Sequence, residues 1–259
     1  MAIKMIATDL DRTLLRKDKT LSDYTMSIFR RCRAKGLKIV FATSRPMPAV
    51  VNFDFCRQIA PDASLYHSGA VIYAGNTCIE RHSILPQAVN KILLSAGRNA
   101  GIKLAIEVDD KNYGNFDPPD IWPGVEVNRI DYANPPFLSA DKIIFVDLKP
   151  DIIESISKIL PENLYLEISE NRIGMIMNKN ATKSKGVARI AQYYGIPLSD
   201  VAAFGDDYND IGMLRECGIG VAVANAIDET KAAADYICDT NDNDGMAKWL
   251  EENVLNKTF

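Results

Sequence analysis

Short apolar segments alternate with amphipathic segments at both ends of this chain. Near the N-terminus, the apolar run IKMIATDL precedes a helical pattern from Ser22 to about Lys35, and a second strand is predicted for KIVFATSRP. The order returns after residue 182, where a helix, a strand, a helix and a strand are predicted for KSKGVARIAQYYGI, DVAAFGD, YNDIGMLREC and GIGVAVAN. This alternation is typical of a parallel sheet with helices on its faces. We therefore predict an α/β fold with a doubly wound, Rossmann-like parallel sheet as its core.

The middle of the chain has a different pattern. From about residue 82 to residue 182 we predict a helix from Pro86 to Arg98, a strand at IKLAIEV, and a loop-rich stretch from Asp109 to Pro136. A strand at KIIFVDL, a helix after Pro150 and strands at LYLEIS and IGMIMN follow. This pattern indicates an α+β domain, residues 82–182, inserted into a core formed by residues 1–81 and 183–259.

Composition and charge exclude several classes of partner. The 259 residues are 47% hydrophobic and 25% charged, and the formal net charge of -4 comes with no basic tract, so nucleic acid is not an expected partner. No apolar stretch approaches the roughly 20 residues that span a bilayer, and the N-terminal run is interrupted by charge, unlike a secretory signal. We expect a cytoplasmic protein, free of membrane, that is a monomer or a weak homodimer.

The rarer residue types narrow the chemistry. The five cysteines are widely spaced and contain no C-x-x-C pair, so neither a disulfide framework nor a thiolate zinc site is indicated. The only histidines are His67 and His82, and a mechanism based on a Ser-His or Cys-His pair would have to use one of them. Catalysis is therefore expected to depend on carboxylates, lysine and a metal ion.

Polar side chains follow three of the predicted parallel strands. Asp9 and Asp11 follow the first, Thr43 to Arg45 the second, and GDDYND, residues 205–210, the third; Lys185 begins the helix before that third strand. Ligands of doubly wound sheets bind at the carboxyl ends of the strands, where helix N-termini also point. These residues are therefore expected to lie together.

The residue types at this edge suit attack on a phosphate ester. Asp9 and Asp206 would hold Mg²⁺, a cation that prefers oxygen ligands, and Lys185 would add a fixed positive charge. Thr43 and Ser44 would bind phosphoryl oxygens.

The two acidic residues after the first strand would then have different tasks. Asp9 could attack phosphorus and form an aspartyl phosphate. Asp11 could serve as general acid and then general base, with its pKa raised by the neighbouring carboxylate and lowered by the metal.

Each motif has a structural alternative when it is taken alone. A D-x-D at a strand end can be incidental, GDDYND can be a loop with capping residues, and a lysine at a helix start is commonly solvated. The combination, in this order along the chain, is far more specific than any member.

Four segments together resemble a known family. DLDRTLL, FATSRP, SKG and FGDDYND are similar to the four motifs of the haloacid dehalogenase-like hydrolases, in the Cof-type branch of sugar-phosphate phosphatases. GIGVAVANA and ADYICDTNDNDGMAKWL resemble the C-terminal signature of that branch. The resemblance implies a type IIB cap domain, because the long insertion lies between Arg45 and Lys185.

The resemblance also implies a role for each matching residue and a small phosphorylated metabolite, such as a sugar phosphate, as substrate. The implied catalytic residues are Asp9, as nucleophile and magnesium ligand, and Asp11, as general acid/base and as a metal ligand through its backbone carbonyl. Asp206 would be a further metal ligand, and Asp210 would support the metal and its waters. Asn209 would contact the phosphate, and the transferred group would be bound by Thr43, Ser44 and Lys185. Hydrolysis is favoured over a long-lived phosphoenzyme because position 11 is aspartate.

Three positions depart from the family pattern. Arg12 replaces the usual glycine of D-x-D-G-T, Ser44 stands where the branch commonly has glycine, and Ser68 replaces the asparagine of NGA. None of the three removes a charge that the mechanism requires.

Other functions remain open from the residues alone. A phosphomutase would use the same aspartates but return the phosphoryl group to a sugar, and a response-regulator receiver also clusters Asp, Thr and Lys around Mg²⁺. A nucleotide-binding module is disfavoured because no G-x-G-x-x-G and no P-loop occurs. Tyr113, Trp122 and Arg129 are possible substrate contacts, and the identity of the phosphorylated substrate is left open.

Overall fold

The computed structural model describes residues 3–97, 102–116, 126–132, 137–147, 149–169 and 173–256. The chain divides into two compact units: a discontinuous unit of Met1–Arg81 with Thr182–Phe259, and a continuous unit of His82–Ala181.

The described residues form strands and helices that are numbered along the chain. The strands are β1 (Met5–Thr8), β2 (Lys38–Ala42), β3 (Ala63–Tyr66), β4 (Val71–Ala74), β5 (Thr77–Arg81), β6 (Lys103–Val108), β7 (Lys111–Gly114), β8 (Val127–Arg129), β9 (Lys142–Val146), β10 (Leu164–Ser169), β11 (Ile173–Asn178), β12 (Val201–Gly205), β13 (Ile219–Val223) and β14 (Tyr236–Cys238). The α-helices are α1 (Asp23–Ala34), α2 (Pro48–Val51), α3 (Asp54–Ile59), α4 (Pro86–Gly97), α5 (Pro150–Ile159), α6 (Lys183–Tyr193), α7 (Ile211–Glu216), α8 (Asp228–Ala233) and α9 (Gly245–Leu250).

The discontinuous unit is built on an eight-stranded sheet in the order β14-β13-β12-β1-β2-β3-β4-β5. All strands from β14 to β3 are parallel, which confirms the predicted parallel core, whereas β4 and β5 add an antiparallel hairpin at one end. Strand β1 lies between β12 and β2, with Thr8 opposite both Phe204 and Phe41. The residues that follow these three strands are therefore neighbours.

The central strands of this sheet are buried because both faces are covered, whereas the end strands β5 and β14 are partly exposed. Strand β1 is almost completely inaccessible to solvent, as expected for a central parallel strand. Helix α1 is capped at its N-terminus by Ser22, whose hydroxyl accepts from the Thr25 amide at 3.0 Å, and the helix buries Ile28, Phe29 and Cys32 along one face.

The continuous unit is an α+β structure, as predicted. Its six strands are ordered β10-β11-β9-β6-β7-β8, and all neighbouring pairs are antiparallel except β7 with β8. Helices α4 and α5 pack with this sheet around Leu93, Phe145 and Ile156.

The predicted loop-rich stretch was wrong in part, because β7 and β8 both lie within it. Tyr113 is in β7 and Arg129 is an exposed residue of β8, while Trp122 lies outside the described residues.

Within the part of the chain that the structure describes, no helix is both long enough and apolar enough to cross a membrane.

Candidate active site

Three buried carboxylates meet at the carboxyl ends of β1 and β12. Asp9 follows β1 and Asp206 follows β12, and the Asp9 amide donates to the Phe204 carbonyl at 3.0 Å, which extends the strand pairing to the site. Asp9, Asp206 and Asp210 are buried, and each offers a carboxylate oxygen within 4.8 Å of the others. A neutral protein interior would not tolerate three such charges, so the cluster requires compensating cations.

The lysine that contacts this cluster is Lys183. Its ammonium donates to Asp9 Oδ1 at 2.6 Å and to Asp210 Oδ1 at 2.7 Å, and its side chain is 1% exposed. The prediction of Lys185 at this place was wrong, because Lys185 is exposed on α6. Two residues along a helix differ by about 200° in direction, so only one of these lysines can face the carboxylates.

Asp210 organises the turn that carries Asp206. Its Oδ2 accepts from the backbone amides of Asp206 and Asp207, at 2.9 and 3.1 Å. A side chain at Gly205 would clash with the side chain of Asp210, so the close approach requires glycine there. The other oxygen of Asp210 accepts from Lys183, so Asp210 connects the turn that carries Asp206 to the buried lysine.

Residues of the loop that follows β1 contact Asp206. Its Oδ1 accepts from the Thr13 hydroxyl at 2.9 Å, and its Oδ2 lies 3.6 Å from Nε of Arg12. Burial, and then the charge of Asp210, raises the pKa of Asp206 to about 7. Arg12 adopts a left-handed conformation (φ 63°), and its carbonyl accepts from the Asn225 amide group at 2.7 Å.

The buried carboxyl group of Asp9 is compensated only in part by the charge of Lys183. Burial raises the pKa of Asp9 well above its usual value, and Lys183 offsets only part of that effect. Burial alone would lower the pKa of Lys183, but Asp210 and Asp9 outweigh it and raise that pKa, so the lysine is charged. Three carboxylates thus share one buried ammonium, an arrangement that favours a further cation.

Asp11 is in a different environment from Asp9. Arg45 binds it through two hydrogen bonds, Nε to Oδ2 at 2.5 Å and Nη2 to Oδ1 at 2.6 Å, and Lys19 donates to Oδ1 at 2.7 Å. Burial would raise the pKa of Asp11, but the hydrogen bonds from Arg45 and Lys19 outweigh it and the pKa is lowered. The predicted rise in this pKa was therefore wrong for this conformation, in which Asp11 is ionised.

The polar residues after β2 form a second part of the site. The Thr43 hydroxyl accepts from the Arg45 amide at 3.1 Å, which closes a tight turn. Asn209 Nδ2 donates to Ser44 Oγ at 2.9 Å, and Ser44 Oγ lies 2.7 Å from Ser68 Oγ. The structure therefore brings Ser44 and Asn209 together, as predicted from their strand-end positions.

Several residues that contact the site lay outside the sequence-based set of site residues. They include Arg12, Thr13, Lys19, Arg45, Lys183 and Ser68. Lys183 could have been found from helical periodicity, since it precedes the apolar Val187 and Ile190 by four and seven residues and so lies on their buried face. Lys19 follows a loop with no regular spacing, and no sequence signal marked it.

Comparison with known proteins agrees with this geometry. A family model described as haloacid dehalogenase-like hydrolase matches residues 6–250. The 5-amino-6-(5-phospho-D-ribitylamino)uracil phosphatase YcsE of Bacillus subtilis is 32% identical over 260 residues, covering 98% of this chain and 96% of the relative. YitU, a second 5-amino-6-(5-phospho-D-ribitylamino)uracil phosphatase of Bacillus subtilis, is 27% identical over 272 residues, covering 96% of each.

A solved structure shares the fold over nearly the whole chain. It is the HAD subclass IIB sugar phosphatase BT4131, with a TM-score of 0.85, 24% identity, and coverage of 96% of this chain and 98% of that one. The chain is an enzyme of the phosphatase class. It belongs to the haloacid dehalogenase-like hydrolase family, in the Cof-type branch.

Proposed function

We propose that this phosphatase hydrolyses small phosphorylated metabolites, with Mg²⁺ held by Asp9 and Asp206 and with Asp9 as the nucleophile. The observation that carries the proposal is the buried group of Asp9, Asp206 and Asp210, whose carboxylate oxygens lie within 4.8 Å of one another. Lys183 is the buried lysine that contacts this group. Oxygen donors and excess negative charge suit Mg²⁺. The ion would screen the repulsion between the nucleophile and the phosphoryl group and would orient that group.

In the first step, a carboxylate oxygen of Asp9 attacks phosphorus and the ester P–O bond breaks. Protonated Asp11 gives its proton to the leaving alkoxide, so that an alcohol departs and an aspartyl phosphate remains. In the second step, Asp11 takes a proton from water, the water oxygen attacks phosphorus, and the bond to Asp9 breaks. Inorganic phosphate is released and both carboxyl groups return to their starting state.

The first step requires a proton on Asp11, whereas Arg45 and Lys19 hold that carboxyl in its ionised form. An anionic substrate would compete for these two cations, and their transfer from Asp11 to the substrate would raise the pKa of Asp11. The proposal therefore includes a step in which Arg45 and Lys19 leave Asp11 and bind the substrate. Thr43, Ser44 and the backbone amides of their turn would bind the phosphoryl oxygens.

The substrate class is proposed to be sugar phosphates or similar phosphomonoesters. Support comes from the activities of the relatives: a sugar phosphatase with the same fold, and two enzymes that act on a phosphorylated ribitylamino uracil.

The test is a phosphate-release screen over phosphorylated metabolites, including 5-amino-6-(5-phospho-D-ribitylamino)uracil and simple hexose phosphates, with and without Mg²⁺. Asp9→Asn and Asp206→Asn should abolish release. Asp207→Asn is the matched control, because Asp207 caps the Tyr208 amide at 2.8 Å and lies outside the buried group. Release that survives in Asp9→Asn, or that needs a bisphosphorylated sugar, would contradict the proposal, and the second outcome would indicate a phosphomutase.

A further inference from the structure

Two segments that the proposed mechanism does not use meet beside the loop that follows β1. Asn225 lies in GIGVAVANA, and Asn241 lies in ADYICDTNDNDGMAKWL. Asn225 Oδ1 accepts from the Asn241 backbone amide at 3.0 Å, and Asn225 Nδ2 donates to the Arg12 carbonyl at 2.7 Å. One partner can only donate and the other can only accept, so both ends of the Asn225 side chain are assigned by their partners. Asn225 therefore joins Asn241 to the loop that carries Asp11.

The hydrogen bond from Asn225 is made at a left-handed residue. Arg12 has a φ of 63°, a conformation that glycine adopts freely and that a residue with a side chain adopts at a cost. The contact is reciprocal, because Arg12 Nη2 donates to the Asn225 backbone carbonyl at 3.4 Å. Arg12 lies between Asp11 and Thr13, and the Thr13 hydroxyl donates to Asp206. The conformation of Arg12 therefore sets the path of the chain from Asp11 to the buried carboxylates.

The other end of this loop is also held by the C-terminal part of the chain. Asn241 Nδ2 donates to the Leu15 carbonyl at 2.8 Å, and Arg16 Nη2 donates to Asp244 Oδ2 at 2.9 Å. These two bonds fix the loop where it turns away from the site. The bond from Asn225 acts at the end of the loop that adjoins the general acid/base.

The proposed mechanism gives the backbone beside Asp11 a particular importance at one step. Arg45 and Lys19 hold Asp11 through its carboxylate, and both leave it when the substrate binds. Asn225 instead binds the backbone next to Asp11, so its contact persists when the two cations leave. A small displacement of a catalytic group lowers the rate of the chemical step strongly, and it need not change substrate binding.

We propose that Asn225 is a positioning residue for Asp11: its side chain holds Arg12 in the left-handed conformation and thereby keeps Asp11 in place for proton transfer. The proposal rests on the proposed function of the site. It also accounts for the departure from the family pattern at position 12, because a hydrogen bond to its carbonyl lets an arginine hold a conformation that glycine adopts without support.

The test is a double-mutant cycle of Asn225→Ala with Arg12→Gly in the full-length enzyme. Both kcat and KM would be measured at saturating Mg²⁺, with the ester that the wild type hydrolyses fastest in the phosphate-release screen. Asn225→Ala should lower kcat about fivefold to thirtyfold, the population ratio that disfavours a left-handed non-glycine residue, and should change KM less than about threefold. In the Arg12→Gly background the same substitution should lower kcat less than about threefold, because glycine adopts positive φ without support.

Two further variants separate positioning from a loss of packing. Asn225→Asp keeps the shape of the side chain and the acceptor for the Asn241 amide but has no hydrogen to donate, so it should lower kcat in the same range as Asn225→Ala. Asn253→Ala removes a hydrogen bond of the same kind, from Nδ2 to the Trp249 carbonyl at 3.0 Å, and should leave kcat unchanged. Urea unfolding of each variant would verify that the assays are made on folded enzyme.

The inference is overturned if Asn225→Ala keeps the wild-type kcat, or if Asn225→Ala does not fold and folded Asn225→Asp keeps it. It is also overturned if kcat falls equally in the wild-type and Arg12→Gly backgrounds, or if the loss lies in KM, since Asn225 would then act by another route. A wild-type enzyme that releases phosphate from no ester of the screen would overturn the proposed function as well, so the two failures are distinguishable.

Discussion

Replacement of Lys183 by methionine should destabilise the metal-free protein strongly. The ammonium makes two charge-assisted hydrogen bonds of 2.6 and 2.7 Å, to Asp9 and Asp210, and all three side chains are buried. Methionine has a similar length but no charge, so the variant leaves Asp9, Asp206 and Asp210 together without a buried cation. Removal of one partner from a buried ion pair costs about 3 to 5 kcal/mol, and we expect a loss in the free energy of unfolding of that size.

The matched control is Lys185→Met, two residues further along the same helix. Lys185 is exposed, and exposed substitutions change stability by about 0.5 kcal/mol or less. Both variants would be unfolded in urea at pH 7.5 with a chelator, with tryptophan fluorescence as the signal, since Trp249 is buried in the core. Added Mg²⁺ should recover part of the loss in Lys183→Met, because a cation would again lie among the carboxylates.

Equal free energies of unfolding for the two variants would refute this reasoning. A large loss in Lys185→Met with little change in Lys183→Met would also refute it. That result would mean that Lys185, and not Lys183, is the lysine buried among the carboxylates.

Three further predictions concern the same cluster. Arg12→Gly removes a guanidinium 3.6 Å from Asp206 and should tighten Mg²⁺ binding about twofold to fivefold in calorimetry; unchanged or weaker binding would count against it. In chelator, the free energy of unfolding should fall as pH rises from about 4 to about 7, because native Asp206, with its pKa raised to about 7, holds a proton that the unfolded chain has released; Asp206→Asn should make that slope shallower while the contribution of Asp9 remains, and an unchanged slope would contradict the assignment. Gly205→Ala should lower the free energy of unfolding by about 1 to 3 kcal/mol, because its methyl group would clash with Asp210, and wild-type stability would show that Asp210 lies elsewhere.

The parts of the fold that follow from sequence are those where local pattern and burial agree. Strands β1, β2, β12 and β13 are apolar runs bounded by helical patterns, and central parallel strands require that composition. Strands β7 and β8 were predicted as loop because Lys111–Gly114 and Val127–Arg129 are short and polar, and they form strands by pairing with each other and with β6. Such pairing is a tertiary effect that local composition does not encode.

The site divides in the same way. Asp9 and Asp206 were placed together by topology alone, since neighbouring parallel strands end at one edge. The choice between Lys183 and Lys185 depended on the orientation of one helix, which motif spacing does not fix. The pKa of Asp11 was misjudged because Lys19 and Arg45 reach it from separate segments, and a sequence shows no such encounter.

The most direct test of the central claim is to locate the phosphoryl group on the enzyme during turnover. Rapid quenching followed by borohydride reduction converts an aspartyl phosphate to homoserine, which peptide mass spectrometry assigns to one position. We predict homoserine at position 9, dependent on substrate and Mg²⁺, and none at position 11 or 206. Modification at another aspartate, or full turnover by an enzyme in which residue 9 is never modified, would contradict the claim.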